Sequence, residues 1–395
     1  MVVALRSFLF CYCRVSRKKF LKGKHFMLAG ALVLMVVYLS KHLIGFEHHF
    51  QPVDVSEVTS QVEPPIKNSS YIFSWPRCQQ NISAANMTDF SSIPDRMKDF
   101  LYYRHCRHFP MLLDLPDKCG GPGKSADVFL LLVIKSPPVN YDRREVLRKT
   151  WAKERLENGV WIRRLFISGT MDSGYEKERL NKLLEMEQRE YNDILQWDFN
   201  ESFYNLTLKQ ILFLEWMERN CPNARFLLNG DDDVFANTEN MVLYLQSLED
   251  NDGSKHLFIG NLNINMEPIR TPGSKYFVPV QLHESNVFPP YCSGGGFLLS
   301  GYTALVIYNM SQSITLLPID DAYMGMCLGK AGLHPSSHIG VKAAGLDISS
   351  IRIDTHDPCL YKDLLLVHKF PPSHMYLLWQ RIHDPSLTCD YKEKL

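Results

Sequence analysis

The sequence predicts an α/β protein built on a mostly parallel sheet with helices on both faces. Three observations predict it: continuous apolar runs of strand length, amphipathic helical segments between them, and the regular alternation of the two. Strands that alternate with helices form βαβ units, whose strands lie parallel and are covered on both sides. At 395 residues with 45% hydrophobic residues, the chain can bury a substantial core.

The predicted elements follow one another from residue 128 to residue 230. VFLLLVIKS (Val128–Ser136) is a continuous apolar run that predicts a buried strand, and the segment from about Asp142 to Glu154 predicts a helix. The next segments are, in order, the strand IRRLFISG, the helix EKERLNKLLEMEQREY, the strand DILQWDF, the helix NLTLKQILFLEWMERN and the strand RFLLNG. Beyond Glu249 the periodicity weakens, which predicts a mixed, loop-rich second half.

The N-terminal region predicts a membrane anchor. Basic residues precede the apolar run Phe26–Leu39, which resumes weakly to residue 46 and so approaches the roughly 20 residues that a span needs. A basic flank before the span places the N-terminus in the cytosol. A cleaved signal peptide is the alternative, but no small-residue cleavage site follows the run. We predict a cytosolic tail at 1–25, a transmembrane signal anchor at 26–46 and a polar stem at 47–77.

The region after the predicted span has the features of a lumenal protein. Six Asn-x-Ser/Thr sequons and eight of the ten cysteines follow the span, and an even number of cysteines suits up to four disulfides. Proximity favours Cys78 with Cys106 and Cys359 with Cys389; buried free thiols are the alternative. We predict a small cysteine-bearing segment at 78–124 and the main domain at 125–395.

The overall charge argues against a nucleic-acid partner. Lys plus Arg and Asp plus Glu both total 43, so the formal net charge is zero. The main body also has no extended basic patch with interleaved aromatic residues, which nucleic-acid-binding surfaces usually show. We therefore predict no nucleic-acid binding.

Three consecutive aspartates follow the last of the predicted strands. In FLLNGDDDVF an apolar run ends in the turn dipeptide Asn-Gly, so Asp231, Asp232 and Asp233 fall at the carboxyl end of a strand. Ligands of parallel sheets bind at that end. A divalent cation would relieve the repulsion among the acids, because Mg²⁺ and Mn²⁺ prefer carboxylate oxygens. A hydrated surface turn is the simpler alternative.

Three further motifs each allow a structural and a functional interpretation. In LLPIDDAYMGMCL, Asp320 and Asp321 either cap a helix or supply a general base, and both hold if Asp320 caps and Asp321 reacts. SGGGFLLSG (Ser293–Gly301) is either an ordinary turn or a backbone segment that approaches a ligand closely. His368 follows a strand-like run and is either structural or a nitrogen ligand.

Seven motifs in this order resemble the family-31 β-1,3-glycosyltransferases of the Golgi: VIKS, RREVLRKTWA, DILQWDFNESFYNLTLKQ, NGDDDVF, GGGFLLSG, IDDAYMGMCL and DPCLYKDLLLVHKF. Within the family, FLYYRHCRHFP and PIDDAYMGMCL most resemble the β-1,3-N-acetylglucosaminyltransferases that extend core 1 O-glycans. The resemblance implies a GT-A fold and UDP-N-acetylglucosamine (UDP-GlcNAc) as the donor. It also implies Mn²⁺ as the cofactor, with Mg²⁺ as the alternative, and a terminal β-galactose on a glycoprotein glycan as the acceptor.

The resemblance also implies roles for the candidate residues. Asp321 would be the base of an inverting transfer, Asp233 the chief metal ligand and His368 a second metal ligand. The other candidates lie on the donor side and are Arg143, Arg148, Lys209, Asp231, Asp232, Gly295 and Gly296. Asp231 would orient the ribose or the metal, and the two glycines would border the sugar. The implied location is the Golgi membrane, with the catalytic domain in the lumen, and a homodimer is allowed.

Three other functions need an experiment to be distinguished. A β-1,3-galactosyltransferase of the same family is the first alternative. A lumenal lectin would share the anchor, the sequons and the cysteines, but it would bind glycans without consuming a UDP-sugar. A metal-dependent hydrolase would usually show additional His and Asp ligands clustered in the sequence.

Overall fold

The computed structural model describes residues 78–171, 174–343 and 357–389. The α-helices in these ranges are α1 (Asp95–Tyr103), α2 (Tyr141–Lys149), α3 (Gly174–Tyr191), α4 (Leu206–Asn220), α5 (Thr238–Gln246), α6 (Gly301–Ser311), α7 (Asp320–Lys330) and α8 (Pro372–Ile382). The strands are β1 (Met111–Leu113), β2 (Val128–Lys135), β3 (Arg155–Glu157), β4 (Val160–Thr170), β5 (Ile194–Asn200), β6 (Phe226–Asp231), β7 (Val234–Ala236), β8 (Phe258–Gly260), β9 (Leu262–Asn263), β10 (Tyr291–Cys292), β11 (Gly296–Ser300), β12 (Ser336–Ser337), β13 (Val341–Lys342) and β14 (Leu366–His368).

One large sheet organises the described residues. Its strands lie in the order β1-β5-β4-β2-β6-β11-β8-β12, and β3 pairs with β4 off this path. The four strands β5, β4, β2 and β6 are parallel, which confirms the predicted βαβ core. Strands β1, β11 and β8 join them with antiparallel pairings, so the sheet as a whole is mixed. Two small sheets, β13-β14-β7 and β10-β9, lie outside it.

Both faces of the sheet are buried, as the continuous apolar runs predicted. In β2, Leu131 and Val133 belong to one hydrophobic cluster, and Leu130 and Leu132 belong to the other, because successive side chains of a strand point to opposite faces. Helices α4, α6 and α7 contribute to the first cluster. Helices α2, α5 and α8 contribute to the second, together with β14. At the edge formed by the carboxyl ends of the parallel strands, the side chain of Asp231 stays about one-third exposed.

The cysteine pairing agrees with the sequence in part. The two predicted disulfides, Cys78–Cys106 and Cys359–Cys389, are present. A third disulfide joins Cys119 to Cys221 across 102 residues and ties the segment before β2 to the end of α4. Cys292 and Cys327 are free and buried, so these two fit the thiol alternative.

Three sequence expectations about local structure are wrong in whole or in part. GGGFLLSG is a turn only at Gly294 and Gly295, because Gly296–Ser300 forms β11, which pairs with β6 in the large sheet. Asp320 does not cap a helix: Ile319 holds the N-cap position of α7, and Asp320 is its first residue. The helix expected to extend to Glu154 also ends earlier, at Lys149.

The predicted tail, anchor and stem (1–25, 26–46 and 47–77) lie outside the described residues. Among residues 78–171, 174–343 and 357–389, no helix is both long enough and apolar enough to cross a membrane.

Candidate active site

Strands β2 and β6 bring their carboxyl ends together at one edge of the sheet. The two strands are parallel neighbours, and their register places Lys135 beside Asp231. Strand β6 ends at Asp231, and β7 begins at Val234, so Asp232 and Asp233 form the turn between them. The aspartates therefore lie at the edge where the sequence predicted them.

Asp231, Asp233 and His368 form a cluster suited to a divalent cation. His368 lies at the end of β14, which pairs with β7 and places the imidazole opposite Val234. Its Nε2 atom is 3.0 Å from Asp233 Oδ1 and 3.7 Å from Asp231 Oδ2. The three ligand atoms lie within 4.8 Å of one another. The two carboxylates are ligands that suit Mn²⁺ or Mg²⁺, and the imidazole adds a nitrogen donor.

The orientation of the His368 ring supports this fit. Its Nδ1 lies 3.0 Å from the carbonyl oxygen of Ala343, so in the neutral ring Nδ1–H donates to that carbonyl. This leaves Nε2 as the atom that would bind a cation, the arrangement commonly found for metal-bound histidines. The hydrogen bond with Asp233 raises the pKa of His368 above its ordinary value. Burial alone would raise the pKa of Asp233, but the contact with His368 outweighs it and lowers that pKa.

Asp232 faces away from this cluster and is held by the protein itself. Its Oδ2 accepts hydrogen bonds from Ser136 Oγ at 2.7 Å and Asn140 Nδ2 at 2.9 Å. Its Oδ1 accepts one from Arg143 Nη1 at 2.9 Å, and the same nitrogen lies 3.5 Å from Asp233 Oδ2. Asp232 therefore ties the segment from Ser136 to α2 to the aspartate turn. Arg143 stays about one-third exposed at the rim, where its charge faces the open edge.

A second pair of acids lies beside the first cluster, at the start of α7. Lys135 Nζ is 3.0 Å from Asp231 Oδ1 and 2.9 Å from Asp320 Oδ2, and it also donates to the carbonyl oxygen of Gly294 at 3.1 Å. Burial would lower the pKa of Lys135, but the charges of Asp231 and Asp320 outweigh it and raise that pKa. The ammonium therefore stays charged and joins the two acidic groups.

Asp321, the candidate general base, lies in the first turn of α7. Its Oδ2 accepts a hydrogen bond from the backbone N–H of Gly294 at 3.1 Å. Burial, followed by the negative charge of Asp320, raises the pKa of Asp321 to about 7. A carboxylate with a pKa near neutrality is suited to general-base work, because it is both available in its ionised form and basic enough to accept a proton.

The comparisons with known proteins decide the family. A family model described as galactosyltransferase matches residues 142–338. Human N-acetyllactosaminide β-1,3-N-acetylglucosaminyltransferase 3 is 48% identical over 340 residues, or 86% of this chain and 88% of that protein. The chain belongs to the galactosyltransferase family. This confirms the resemblance to family-31 β-1,3-glycosyltransferases that the sequence motifs indicated.

Other relatives in the galactosyltransferase family carry related names. Human acetylgalactosaminyl-O-glycosyl-glycoprotein β-1,3-N-acetylglucosaminyltransferase is also 48% identical, over 86% of each chain. Mouse UDP-GlcNAc:βGal β-1,3-N-acetylglucosaminyltransferase 7 is 41% identical over 80% of this chain and 78% of that protein. Among solved structures, galactosyltransferase LgtC with donor and acceptor sugar analogs covers 64% of this chain and 96% of its own, at 12% identity and a TM-score of 0.32. That likeness is too weak to carry an argument.

Two further residues predicted for the donor side are buried and pair with carboxylates other than those of the aspartate cluster. The buried guanidinium of Arg148 donates to Glu145, Glu187 and Asp193. Lys209 is equally buried, and its ammonium pairs with Glu201. Both side chains are paired with carboxylates in the interior, so their predicted part on the donor side stays a prediction.

Sequence reasoning missed three residues that hold the acids in place: Lys135, Ser136 and Asn140. A signal for Lys135 existed, because it is the one charged residue of the strand Val128–Lys135 and ends it at the ligand-binding edge. Ser136 and Asn140 gave no comparable signal. Their importance comes from Asp232, which lies almost 100 residues away in the chain.

Gly295 and Gly296 leave room for β14. A Cβ atom on Gly295 would lie 2.6 Å from His368 Nδ1, and one on Gly296 would lie 2.4 Å from Leu366 Cδ1. Real Cβ atoms do not approach so closely, so a side chain at Gly295 would displace the imidazole of His368, and one at Gly296 would displace the side chain of Leu366. The space beside these glycines is therefore filled by the strand that carries the candidate metal ligand. Their predicted contact with the sugar stays a prediction.

We expect Gly295→Ala to weaken metal binding by displacing the imidazole of His368. Gly273→Ala is the matched control, because a Cβ there meets no atom within 4 Å. Titrating Mn²⁺ into each variant by calorimetry in the presence of UDP measures the effect. Equal manganese affinity in the two variants would show that the position of His368 does not matter for the metal.

Proposed function

We propose that this protein transfers N-acetylglucosamine from UDP-GlcNAc to the 3-hydroxyl of a terminal β-galactose on glycoprotein glycans, with inversion at the anomeric carbon. The observation that carries the proposal is the 48% identity, over most of both chains, to an enzyme named as a β-1,3-N-acetylglucosaminyltransferase. The geometry agrees with it, because one edge of the sheet holds a candidate metal cluster and a separate carboxylate. We further propose that the fold is of the GT-A type.

The proposed donor site is the cluster of Asp231, Asp233 and His368. These residues would hold Mn²⁺, or Mg²⁺ in its place, and Arg143 would add positive charge at the rim. When bound, the cation would act as a Lewis acid that neutralises the charge of the diphosphate leaving group. Asp232 would contribute by fixing the turn that carries the two ligand carboxylates.

The proposed base is Asp321. Inversion requires a single in-line displacement, in which the galactose O3 attacks the anomeric carbon on the face opposite the diphosphate. The new C–O bond forms as the bond from the anomeric carbon to the diphosphate oxygen breaks. The proton of the 3-hydroxyl passes to the Asp321 carboxylate, and UDP leaves with the electron pair of the broken bond. Backbone N–H donation from Gly294 would keep the carboxylate aimed during this transfer.

The rate of transfer should fall as the pH falls through about 7. Asp321 must be ionised to accept the proton, and burial together with the charge of Asp320 raises its pKa to about 7. Asp320→Asn should move this acidic limb to lower pH, because the like charge that disfavours ionisation is then absent. Initial rates with saturating substrates between pH 5 and 9 would measure the acidic limb of the wild type and that of Asp320→Asn. A pH-independent rate across this range would contradict the role of Asp321.

A product assay tests the proposed function. The purified full-length protein is incubated with Mn²⁺, either UDP-GlcNAc or UDP-galactose, and glycans ending in β-galactose. Mass spectrometry then shows whether the product has gained an N-acetylhexosamine or a hexose. We expect gain of an N-acetylhexosamine from UDP-GlcNAc, in a 1,3 linkage. Gain of a hexose would indicate the galactosyltransferase alternative, and glycan binding without any product would indicate the lectin alternative.

The acceptor has a second candidate, an α-linked N-acetylgalactosamine on a glycoprotein. It is favoured by the 48% identity to the relative named for an acetylgalactosaminyl-O-glycosyl-glycoprotein acceptor, which equals the identity to the N-acetyllactosaminide enzyme. Parallel reactions with N-acetyllactosamine, core 1 disaccharide and α-N-acetylgalactosaminyl peptide would rank them by kcat/KM. We expect the galactose-ended acceptors to react faster.

We also propose a Golgi location with a type II membrane anchor at residues 26–46. The support is the basic flank, the apolar run and the sequons that follow it. Protease treatment of intact Golgi vesicles should leave residues 78–395 protected and remove only the N-terminal tail. Homodimer formation stays a prediction that chemical crosslinking in the same vesicles would test.

A further inference from the structure

We propose that Lys135 is a positioning residue that fixes the carboxylate of Asp321 relative to the carboxylates of the candidate metal cluster. The inference rests on the proposed function, and it assigns a part to a buried residue that the sequence did not single out. Lys135 is 4% exposed and lies at the end of the central strand β2. This position places the positive charge of Lys135 between Asp231 on β6 and Asp320 on α7.

The ammonium of Lys135 uses its three hydrogens on three different segments. It contacts Asp231 Oδ1 at 3.0 Å, Asp320 Oδ2 at 2.9 Å and the carbonyl oxygen of Gly294 at 3.1 Å. An ammonium has three donors, so this coordination is complete. The partners belong to the end of β6, the start of α7 and the segment before β11. One side chain therefore joins the metal-side strand to the two segments that hold the base.

Asp321 depends on two of those three contacts. Gly294 accepts from Lys135 through its carbonyl and donates to Asp321 Oδ2 through its N–H, so the two contacts are made by one residue. Asp320, the neighbour of Asp321 in the chain, is held directly. Movement of the Lys135 ammonium would therefore shift the Asp321 carboxylate both through Gly294 and through Asp320. A misplacement of about 1 Å can reduce a catalytic rate roughly 100-fold.

In addition to these hydrogen-bonded contacts, the positive charge of Lys135 affects the ionisation of Asp321. The charged and titratable groups that influence Asp321 or are influenced by it are Asp320 on its own helix, Lys135 on β2, and Tyr291 and Cys292 on β10. Lys135 is the cation in this set and favours the ionised carboxylate, whereas Asp320 opposes ionisation. Removing the cation should therefore make Asp321 harder to ionise.

A purely structural role would give different results. Buried ion pairs often contribute only stability, and removing one partner leaves an uncompensated charge. Lys118 offers a matched control, because it is also buried, pairs with Glu154 at 2.8 Å and donates to the carbonyl of Asn192. Lys118→Met should lower the thermal midpoint but leave kcat and the pH profile unchanged. Lys135→Met should change all three.

The test compares the full-length protein with Lys135→Met, Lys135→Arg and Lys118→Met. We expect Lys135→Met to lower kcat roughly 100-fold and to move the acidic limb of the rate profile upward by about one pH unit. Calorimetry with UDP and Mn²⁺ should show a much smaller change in donor-site affinity. Lys135→Arg keeps the positive charge but changes the length and shape of the side chain. The acidic limb of its pH–rate profile should therefore stay at the wild-type pH, whereas its kcat should fall.

The outcomes separate this inference from the proposed function. If Lys135→Met does not fold, Lys135→Arg decides: a wild-type kcat in that variant overturns the inference. An unchanged pH limb in folded Lys135→Met, or a loss found only in UDP–manganese affinity, also overturns it. If the wild-type protein binds UDP with Mn²⁺ but forms no product from UDP-GlcNAc, the proposed function fails, and the inference fails with it.

Discussion

Asp321→Asn should abolish transfer while leaving UDP–manganese binding intact. Asparagine keeps the size of the side chain and one oxygen that can accept from Gly294, but it cannot take a proton from the acceptor hydroxyl. Loss of a general base typically costs about 10²- to 10⁴-fold in rate. The candidate metal cluster does not include Asp321, so donor-site affinity should change little. Initial rates and calorimetry with UDP and Mn²⁺ on the same preparation measure both quantities.

The stability of Asp321→Asn provides an internal check that the variant is folded. The folded protein holds the pKa of Asp321 at about 7, above its ordinary value, so the protonated form contributes stability. That contribution is complete below the ordinary aspartate pKa and is lost as the pH rises through about 7. Asparagine never ionises and so does not lose this stability. The melting temperature of the variant minus that of the wild type should therefore increase from pH 4 to pH 8.

Two results would contradict this prediction. Near-normal turnover in folded Asp321→Asn would require another base. A parallel loss of UDP–manganese affinity would place Asp321 on the donor side instead. Asp250→Asn is a suitable control, because Asp250 is exposed on a turn and belongs to neither acidic group.

The parallel core of the fold could be predicted because its signals are local. A strand buried on both faces, such as Val128–Lys135, is a continuous apolar run, and the helices between strands have their own period. Strand β11 could not be predicted in the same way. It has only five residues and begins with glycine, and its identity as a strand comes from pairing with β6, about 70 residues earlier in the chain. Pairing between strands that are distant in the chain produces no periodic pattern in the local sequence.

The arginines of α2 show why residue type was not enough to place the donor side. Arg144 and Arg148 are four residues apart and share a helix face, which points to Glu187 in the interior. Arg143 is one residue away from Arg144 and so points elsewhere, toward Asp232 at the site. The sequence could name Arg143 and Arg148 as candidates, but only the orientation of the helix on the sheet decides which one reaches the open edge.

The acids themselves were located correctly because a strand end fixes where its next residues lie. Asp231 and Asp233 needed only the prediction of one strand and the rule for its carboxyl end. His368 needed more, because it reaches them through the pairing of β14 with β7, which lies 130 residues earlier. The residue was a candidate from its type and from the resemblance, but its distance to Asp233 could come only from the structure.

Asp233→Ala should remove the manganese dependence of UDP binding. Asp233 is the carboxylate nearest His368, at 3.0 Å, and its loss leaves only Asp231 to share a cation with the imidazole. Losing an outer-shell partner of a metal site costs roughly 10- to 100-fold in affinity, so losing a direct ligand should cost more.

Calorimetry of UDP binding with and without Mn²⁺ measures this loss directly, without any acceptor or turnover. The wild type should bind UDP far more tightly with manganese, and Asp233→Ala should bind it equally weakly in both conditions. Asp250→Asn should behave as the wild type. If Asp233→Ala kept its manganese dependence, the cation would have to bind away from β6, and the three aspartates at the strand end would be only the hydrated turn that the sequence also allowed.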